Sequence, residues 1–136
     1  MSDFYIKISG AFLFILTLYG CTNSGDQYLV SEERANKGKE LFKNDGCVTC
    51  HSLTGEIKYG PSLNNILHTR IEVIREGKIQ TIIVDRKYLT RSIYEPDYEK
   101  VEAFKNKKMP KPQISLEDIN HLVDYLIFVN NQFQGK

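Results

Sequence analysis

The feature that most constrains this chain is the pentapeptide Cys47-Val48-Thr49-Cys50-His51. Two thiols three residues apart, with a histidine directly after them, form the C-x-x-C-H pattern of covalent haem attachment. In this arrangement the thiols reach the two vinyl groups of one haem, and the histidine is brought beneath the iron. The motif therefore predicts one haem c, attached through Cys47 and Cys50, with His51 as the proximal iron ligand.

Three other interpretations of the paired cysteines stay open at this point. Thioredoxin-like redox proteins also carry a C-x-x-C pair, but they place it in a βαβ setting, whereas this chain has a mainly helical pattern. Half of a zinc site would need further ligands, and only His68 and His121 remain, since no second cysteine pair follows. A structural disulfide is conceivable in an oxidising compartment. The adjacent histidine favours haem over all three.

The N-terminal segment predicts export. Residues 8–19 (ISGAFLFILTLY) are apolar and follow Lys7. This run is shorter than the roughly 20 apolar residues that span a bilayer, but it suits the apolar region of a signal peptide. It ends at Leu18-Tyr19-Gly20-Cys21, which resembles the bacterial lipobox. By that resemblance residues 1–20 are a lipoprotein signal peptide, and Cys21 becomes the acylated first residue of the mature protein.

Acylation with two or more chains would hold the protein stably at a membrane. The alternatives are an uncleaved N-terminal membrane anchor and ordinary signal cleavage at another position. All three place the rest of the chain outside the cytoplasm, on the periplasmic or cell-surface side.

The remaining chain is expected to form one globular domain behind a short tether. Residues 22–27 (TNSGDQ) are polar turn and linker residues, so that residues 21–30 are expected to form the acylated cysteine and a flexible tether. Residues 31–136 then form a single domain. The chain is 26% charged with a net charge of +1, a balance that does not predict nucleic-acid binding.

Capping residues and hydrophobic periodicity predict a mostly α domain. Ser31, Asp85 and Ser115 each precede a helical pattern, and the helices that they begin lie at both ends and in the middle of the domain. Residues 71–74 and 79–84 flank a turn-forming stretch and predict a small hairpin or an extended loop pair.

The sequence also offers a sixth ligand for a haem iron. It has two methionines, Met1 and Met109, and Met1 is expected to leave with the signal peptide. Met109 lies in a loop rich in lysine and proline, where a methionine that merely fills a core is unexpected. We expect Met109 to be the second axial ligand. Otherwise His68 or His121 could ligate, or the sixth position stays vacant and open to ligands or peroxide.

Several elements match a known family in their order along the chain. They are Gly38 with Leu41-Phe42, the C-x-x-C-H motif, Gly60-Pro61, Met109-Pro110, and Leu122 with Tyr125-Leu126. Over residues 32–130 these elements resemble the class I, mono-haem cytochrome c family. The resemblance implies an all-α cytochrome c fold, whose N- and C-terminal helices cross around one haem, with Gly38 and Phe42 against Tyr125. It also implies that the Pro61 carbonyl orients His51.

The middle of the chain resembles a narrower group. The matching features are the run Gly60-Pro61-Ser62-Leu63, a hydrophobic hairpin, Tyr88-Leu89-x-x-Ser92-Ile93, and Pro96. They are similar to the cytochrome c domain appended to subunit II of some bacterial haem–copper oxidases. Between Cys21 and Cys47 there is no room for the copper-binding domain of that subunit. The resemblance therefore implies a free-standing carrier with a hairpin insertion, and we expect its haem pocket to be lined by Val48, Leu63, Leu89 and Ile93.

A histidine–methionine ligand pair would leave no iron position open to a substrate. The predicted function is therefore outer-sphere transfer of single electrons, without enzymatic activity. The alternatives are a haem enzyme or a gas or peroxide sensor with a labile sixth ligand, and a haem-containing accessory subunit of a respiratory complex.

The charges near Met109 predict where a partner would bind. The loop carries Lys105, Lys107, Lys108 and Lys111, and it is preceded by the acidic residues Glu95, Asp97, Glu99 and Glu102. Positive charge at this position would steer acidic redox partners, such as a terminal oxidase, a reductase or a quinol-oxidising complex. The plain alternative is a solvated loop whose charges serve solubility.

Overall fold

The computed structural model describes residues 30–134. In chain order the elements are α1 (Glu32–Asn44), α2 (Cys47–Cys50), β1 (Arg70–Arg75), β2 (Lys78–Ile83), α3 (Arg86–Tyr94), β3 (Lys100–Val101), a 3₁₀ turn (Glu102–Phe104) and α4 (Leu116–Gln134). The predicted signal peptide, the acylated Cys21 and the tether up to residue 29 lie outside the described residues. Within the described range, no helix combines the length and the apolar character needed to cross a bilayer.

The three predicted helix starts are confirmed by their capping bonds. The hydroxyl of Ser31 accepts a hydrogen bond from the backbone N–H of Arg34, at 3.4 Å. The carboxylate of Asp85 accepts from the N–H of Tyr88 at 2.7 Å. Ser115 caps α4 in the same way, at 3.1 Å. Each cap satisfies an N–H group that the first turn of a helix leaves without a partner.

The crossing of α1 and α4 depends on a glycine and an aromatic pair. A β-carbon at Gly38 would lie 1.9 Å from the carbonyl oxygen of His121, so only glycine lets the two backbones approach this closely. One turn further on, the rings of Phe42 and Tyr125 pack with their centroids 5.8 Å apart and their planes tilted by 59°. The helix crossing implied by the family resemblance is therefore confirmed.

A buried carboxylate ties three helices together. Asp124 of α4 has no exposed surface, and it pairs with Arg34 of α1 (Nε–Oδ2, 2.6 Å) and with Arg86 of α3. A buried charge is tolerated only when it is paired in this way. The ion pairs therefore fix α3 against the crossed helices α1 and α4.

The expectation of an all-α domain is too simple, because the domain contains a three-stranded antiparallel sheet in the order β2-β1-β3. The predicted hairpin is present, and its two-residue loop Glu76-Gly77 has positive φ at both positions (52° and 73°), as a type I′ turn requires. The third strand, in which Val101 pairs with Val73, was not predicted. Its two residues are too few to show an alternating pattern.

Candidate functional site

One cavity brings together the residues that the sequence singled out. It has a volume of about 480 Å³, and its walls are mostly apolar. Its lining includes all six residues that were predicted to hold a cofactor: Cys47, Cys50, His51, Pro61, Leu63 and Met109. The fold therefore joins two segments that are far apart in the sequence, the C-x-x-C-H motif and the methionine loop.

The two thiols lie on the same side of a single helical turn. Helix α2 begins after Gly46, whose left-handed conformation (φ 76°) turns the chain sharply out of α1. Cys47 and Cys50 are half-buried, no disulfide joins them, and both line the cavity. Because residues i and i+3 of a helix are neighbours, the spacing aims both sulfur atoms at one bound group.

The electrostatics of Cys47 differ from those of a redox-active thiol. Burial raises the pKa of Cys47, and the nearby carboxylate of Asp45 raises it further. Reactive cysteines of thioredoxin-like proteins have a lowered pKa instead. The thiol environment therefore does not favour the thioredoxin-like interpretation.

His51 is held in a defined orientation by two neighbouring residues of the next loop. Its Nδ1 donates a hydrogen bond to the carbonyl oxygen of Pro61, at 2.9 Å, which is the contact implied by the family resemblance. The backbone of Gly60 packs directly against the ring, since a β-carbon there would lie 2.5 Å from the ring atom Cε1. With Nδ1 occupied, Nε2 is the ring nitrogen left for a metal.

Hydrogen bonds to the residues around the haem motif hold the loop that carries Pro61. The N–H of Gly60 donates to the carbonyl of Cys50 at 2.9 Å, and the N–H of Leu63 donates to the carbonyl of Ser52 at 2.8 Å. The Ser52 hydroxyl also lies 3.0 Å from that of Ser62. These bonds bracket Pro61, and they keep its carbonyl aimed at the His51 ring.

Asn130 of α4, which was not predicted as a site residue, fixes the next part of the cavity wall. Its side chain is buried, and Oδ1 accepts from the N–H of Ile66 at 2.8 Å. Its Nδ2 donates to the carbonyls of Leu63 (2.9 Å) and Leu126 (2.8 Å). The signal that could have identified Asn130 is helical spacing, because it lies four residues after Leu126 and seven after Val123, on the buried stripe of α4.

Met109 is half-buried in the cavity wall, and its loop is tied to the loop that follows the haem motif. The N–H of Lys108 is 3.4 Å from the hydroxyl of Tyr59, and the ammonium of Lys107 is 4.8 Å from the centre of the Tyr59 ring. Lys111 stacks similarly on Tyr94, at 4.5 Å. These contacts hold the methionine loop beside the cavity.

One expectation about the cavity needs correction. Leu63, Leu89 and Ile93 line it as predicted, but Val48 is 43% exposed and lies outside the lining. The reason is the helical turn of α2, which directs its first and last residues inward and the intervening residues outward. Glu99 is one of the four acidic residues that precede the lysine-rich loop in the sequence. It is buried in the cavity wall, because Arg75 of β1 pairs with it at 2.5 Å.

The alternative ligands are not positioned for the cavity. His68 is exposed and His121 lies in the α1–α4 crossing, and neither lines the cavity. Within residues 30–134, no group of three or more histidine, cysteine or acidic side chains is placed to hold a metal ion.

The residues that do line the cavity fit a haem. Two thiols on one helical turn, a fixed imidazole, a thioether and apolar walls are the donor set and the environment that a covalently attached haem requires.

Comparison with known proteins agrees with this chemistry. The sequence profile of the family described as Cytochrome c matches residues 35–127. The chain is also similar to the C subunit of the nitric oxide reductase of Stutzerimonas stutzeri, with 35% identity over 75 residues. That match covers 48% of this chain and 50% of the relative, so it spans about half of the relative's length.

The match to the family covers the haem motif, the cavity and most of the crossing helices. The domain binds haem c covalently through Cys47 and Cys50, and it has a haem electron-transfer role. This chain belongs to the cytochrome c family.

Proposed function

We propose that this protein is a membrane-anchored, mono-haem cytochrome c, which carries single electrons outside the cytoplasm to or from a respiratory oxidase or reductase. The observation that carries the proposal is that His51 and Met109 line one cavity next to the two haem-attaching thiols. Met109 is also the one methionine among residues 30–134. In this proposal the protein is a carrier and not an enzyme.

The proposed ligand pair explains why such a protein would carry electrons. Bound by a histidine and a thioether, haem exchanges one electron without opening a coordination position, and the thioether favours the reduced form. The chain's own contribution is to hold both ligands. Pro61 and Gly60 orient the His51 ring, and the contacts of Tyr59 hold the methionine loop. The apolar walls, which include Leu63, exclude water from the site. They thereby reduce the solvent reorganisation that accompanies electron transfer.

The test is a spectroscopic comparison of the wild-type holoprotein with Met109→Leu. Leucine nearly conserves the volume of methionine but lacks the sulfur, so the variant separates ligation from packing. A haem stain on a denaturing gel first establishes covalent attachment in both proteins. We expect the wild type to be low-spin, with the weak oxidised-state band of iron–thioether ligation, and Met109→Leu to lose that band and to bind cyanide or carbon monoxide.

An unchanged spectrum in Met109→Leu would show that Met109 is not the ligand. A wild-type protein that is high-spin and already binds carbon monoxide would favour the enzyme or sensor function instead.

A second candidate function follows from the relative that belongs to a nitric oxide reductase. On that ground, this protein could be a haem-containing subunit of a respiratory complex rather than a free carrier. Mild detergent extraction and size-exclusion chromatography, followed by the haem absorbance, distinguish the two. A free carrier elutes as a small protein, whereas a subunit elutes with a large complex.

The proposed docking surface is the lysine-rich loop at the mouth of the cavity. Lys107, Lys108 and Lys111 line the cavity and are exposed, while Lys105 lies beside them and pairs with Glu102 at 2.8 Å. Positive charge around a redox site accelerates encounter with acidic partners. The stacking of Lys107 on Tyr59 also orders part of this rim, which reduces the entropy lost on docking.

The anchor is proposed from the lipobox-like sequence that ends at Cys21. Residues 1–20 would be removed, Cys21 would be acylated, and residues up to 30 would tether the haem domain to the membrane. Cys21→Ala, expressed in a host that attaches haem c, should move the haem protein from the membrane fraction to the soluble fraction and abolish labelling by a radioactive fatty acid. If the wild-type protein stays in the membrane fraction but takes up no fatty-acid label, an uncleaved N-terminal anchor is the explanation.

A further inference from the structure

An ion pair connects the wall of the haem cavity to strand β1. The carboxylate of Glu99 is 3% exposed, and its Oε2 accepts from Nη2 of Arg75 at 2.5 Å and from Nε at 3.2 Å. Glu99 belongs to the cavity lining, and it directly precedes strand β3. The charge of Glu99 also reaches a second lining residue: burial raises the pKa of Tyr88, and Glu99 adds to that rise.

The partner of Glu99 is fixed by the sheet and by an aromatic ring. Arg75 ends strand β1, which pairs with β3. Its guanidinium lies 5.2 Å from the centre of the Tyr98 ring, and the guanidinium of Arg91 lies 4.5 Å from the same ring. Guanidinium groups held over an aromatic ring lose little further freedom when they pair with a carboxylate. The ion pair is therefore preorganised.

The placement of this pair is not explained by stability alone. Taking a carboxylate out of water is unfavourable, and a buried ion pair often contributes no more than apolar residues of the same volume. The neighbouring Asp97 pairs with Lys100 at 3.1 Å while it remains 64% exposed, so this segment also forms an ordinary surface pair. Glu99 instead belongs to the lining of a cavity in which the charge of the bound group changes by one on reduction.

We propose that the Arg75–Glu99 ion pair sets the reduction potential of the haem. The negative charge of Glu99 stabilises the oxidised iron, and the positive charge of Arg75 stabilises the reduced iron. The carboxylate of Glu99 is buried, so its charge acts more strongly than it would at the surface, whereas the partly exposed Arg75 has the smaller effect. This effect of the ion pair requires a bound haem but no particular sixth ligand. A failure of this proposal is therefore distinguishable from a failure of the proposed Met109 ligation.

The test is a spectroscopic redox titration of the holoprotein and of the variants Glu99→Gln and Arg75→Gln. Glutamine preserves the shape of glutamate and removes its charge. We expect the potential of Glu99→Gln to shift upward. We expect that of Arg75→Gln to shift downward at mildly alkaline pH, where an unpaired carboxyl group carries its charge. The double variant should lie between the two single variants.

Two matched controls lie on the same strand as Arg75. Glu72 and Arg70 are exposed, and Glu72→Gln and Arg70→Gln cause the same changes in net charge. Both controls should leave the potential close to that of the wild type. Arg75→Lys retains the positive charge and should also leave it close to the wild-type value.

A purely structural role would move the two charge variants in the same direction, because either change would loosen the same wall. Shifts of equal sign, or shifts no larger than those of the surface controls, would overturn the proposal. If one variant yields no holoprotein, the other decides the question together with Arg75→Lys. A shift in Arg75→Lys as large as that in Arg75→Gln would also contradict an effect of charge.

Discussion

The backbone of Gly60 lies directly against the imidazole ring of His51: a β-carbon at residue 60 would come 2.5 Å from Cε1 and 2.9 Å from Nδ1. The same ring is also held by its 2.9 Å hydrogen bond to the carbonyl of Pro61. The orientation of the histidine therefore depends on the absence of a side chain at residue 60 as much as on the hydrogen bond to the residue that follows.

Gly60→Ala should displace the His51 ring or break its bond to Pro61, because neither the ring nor the backbone can move freely. We expect the free energy of unfolding of the holoprotein in urea to fall by about 1–3 kcal/mol, and the reduction potential to change. Gly55→Ala is the comparison, because it introduces backbone strain (φ 93°) at an exposed site. That variant can lose stability, but its potential should not move. If Gly60→Ala keeps the wild-type reduction potential, the orientation of the His51 ring does not depend on Gly60.

Gly38→Ala should weaken the crossing of α1 and α4. The added methyl group would overlap the carbonyl oxygen of His121, which belongs to the helix backbone and cannot rotate away. We expect a loss of about 1–3 kcal/mol in the free energy of unfolding, or more if the helices separate. Asn36→Ala, at an exposed position of the same helix, should stay within about 0.5 kcal/mol of the wild type. Equal stabilities of the two variants would rule out the tight crossing.

Asn130→Ala should destabilise the wall formed by the loop around Leu63 and Ile66. The substitution leaves the N–H of Ile66 and the carbonyl of Leu63 without their side-chain partner. A buried polar group without a partner costs about 1–3 kcal/mol, and urea unfolding of the holoprotein measures the loss. The neighbouring Asn131 is exposed, so Asn131→Ala serves as the control. A small effect in both variants would mean that water replaces the asparagine.

Tyr88 should make the stability of the domain depend on pH in the alkaline range. Burial raises the pKa of Tyr88, so its folded-state pKa lies above the unfolded value of about 10. The contribution of the neutral Tyr88 phenol to the free energy of unfolding is therefore complete below about pH 10, and it is lost as the pH rises through the folded pKa. Urea midpoints from neutral to strongly alkaline pH should fall less steeply in Tyr88→Phe than in the wild type. Tyr94→Phe leaves the buried phenol of Tyr88 in place and should retain the wild-type slope.

Lys107→Gln/Lys108→Gln should slow electron transfer if the lysine-rich rim docks a partner. We expect a decrease of about 2- to 10-fold in the bimolecular rate with an acidic redox protein at low salt. The difference should disappear at high salt, where the charges are screened. Lys37→Gln/Lys39→Gln on α1 removes the same net charge away from the cavity and is the control. A solvated loop without a docking role predicts equal rates for both double variants and the wild type.

Much of the fold could be predicted because its signals are local. The caps at Ser31, Asp85 and Ser115 depend on bonds to a residue three positions away. The hairpin turn depends on two adjacent residues with positive φ, of which Gly77 adopts that conformation readily. Such features are recognisable in a short window of sequence, and they were predicted correctly.

The third strand and the buried polar residues could not be predicted in this way. Val101 pairs with Val73, and Asn130 bonds to Ile66, contacts that join distant parts of the chain. Glu99 looks like its acidic neighbours until Arg75 of a different strand is brought beside it. The exposure of Val48 likewise follows from how α2 faces the cavity, which the motif itself does not reveal.

The sequence by itself determined the chemistry of this protein: two thiols and a histidine at the spacing for haem c, a methionine in a distant loop, and helices at both ends. Only the tertiary structure decided that the motif and the methionine loop line one cavity, and that Glu99 is buried in its wall. The physical reason is that reactive groups are carried by residue type and spacing along the chain. Burial, charge pairing and ligand orientation instead depend on which distant backbones pack together, as Gly38 and Gly60 allow here.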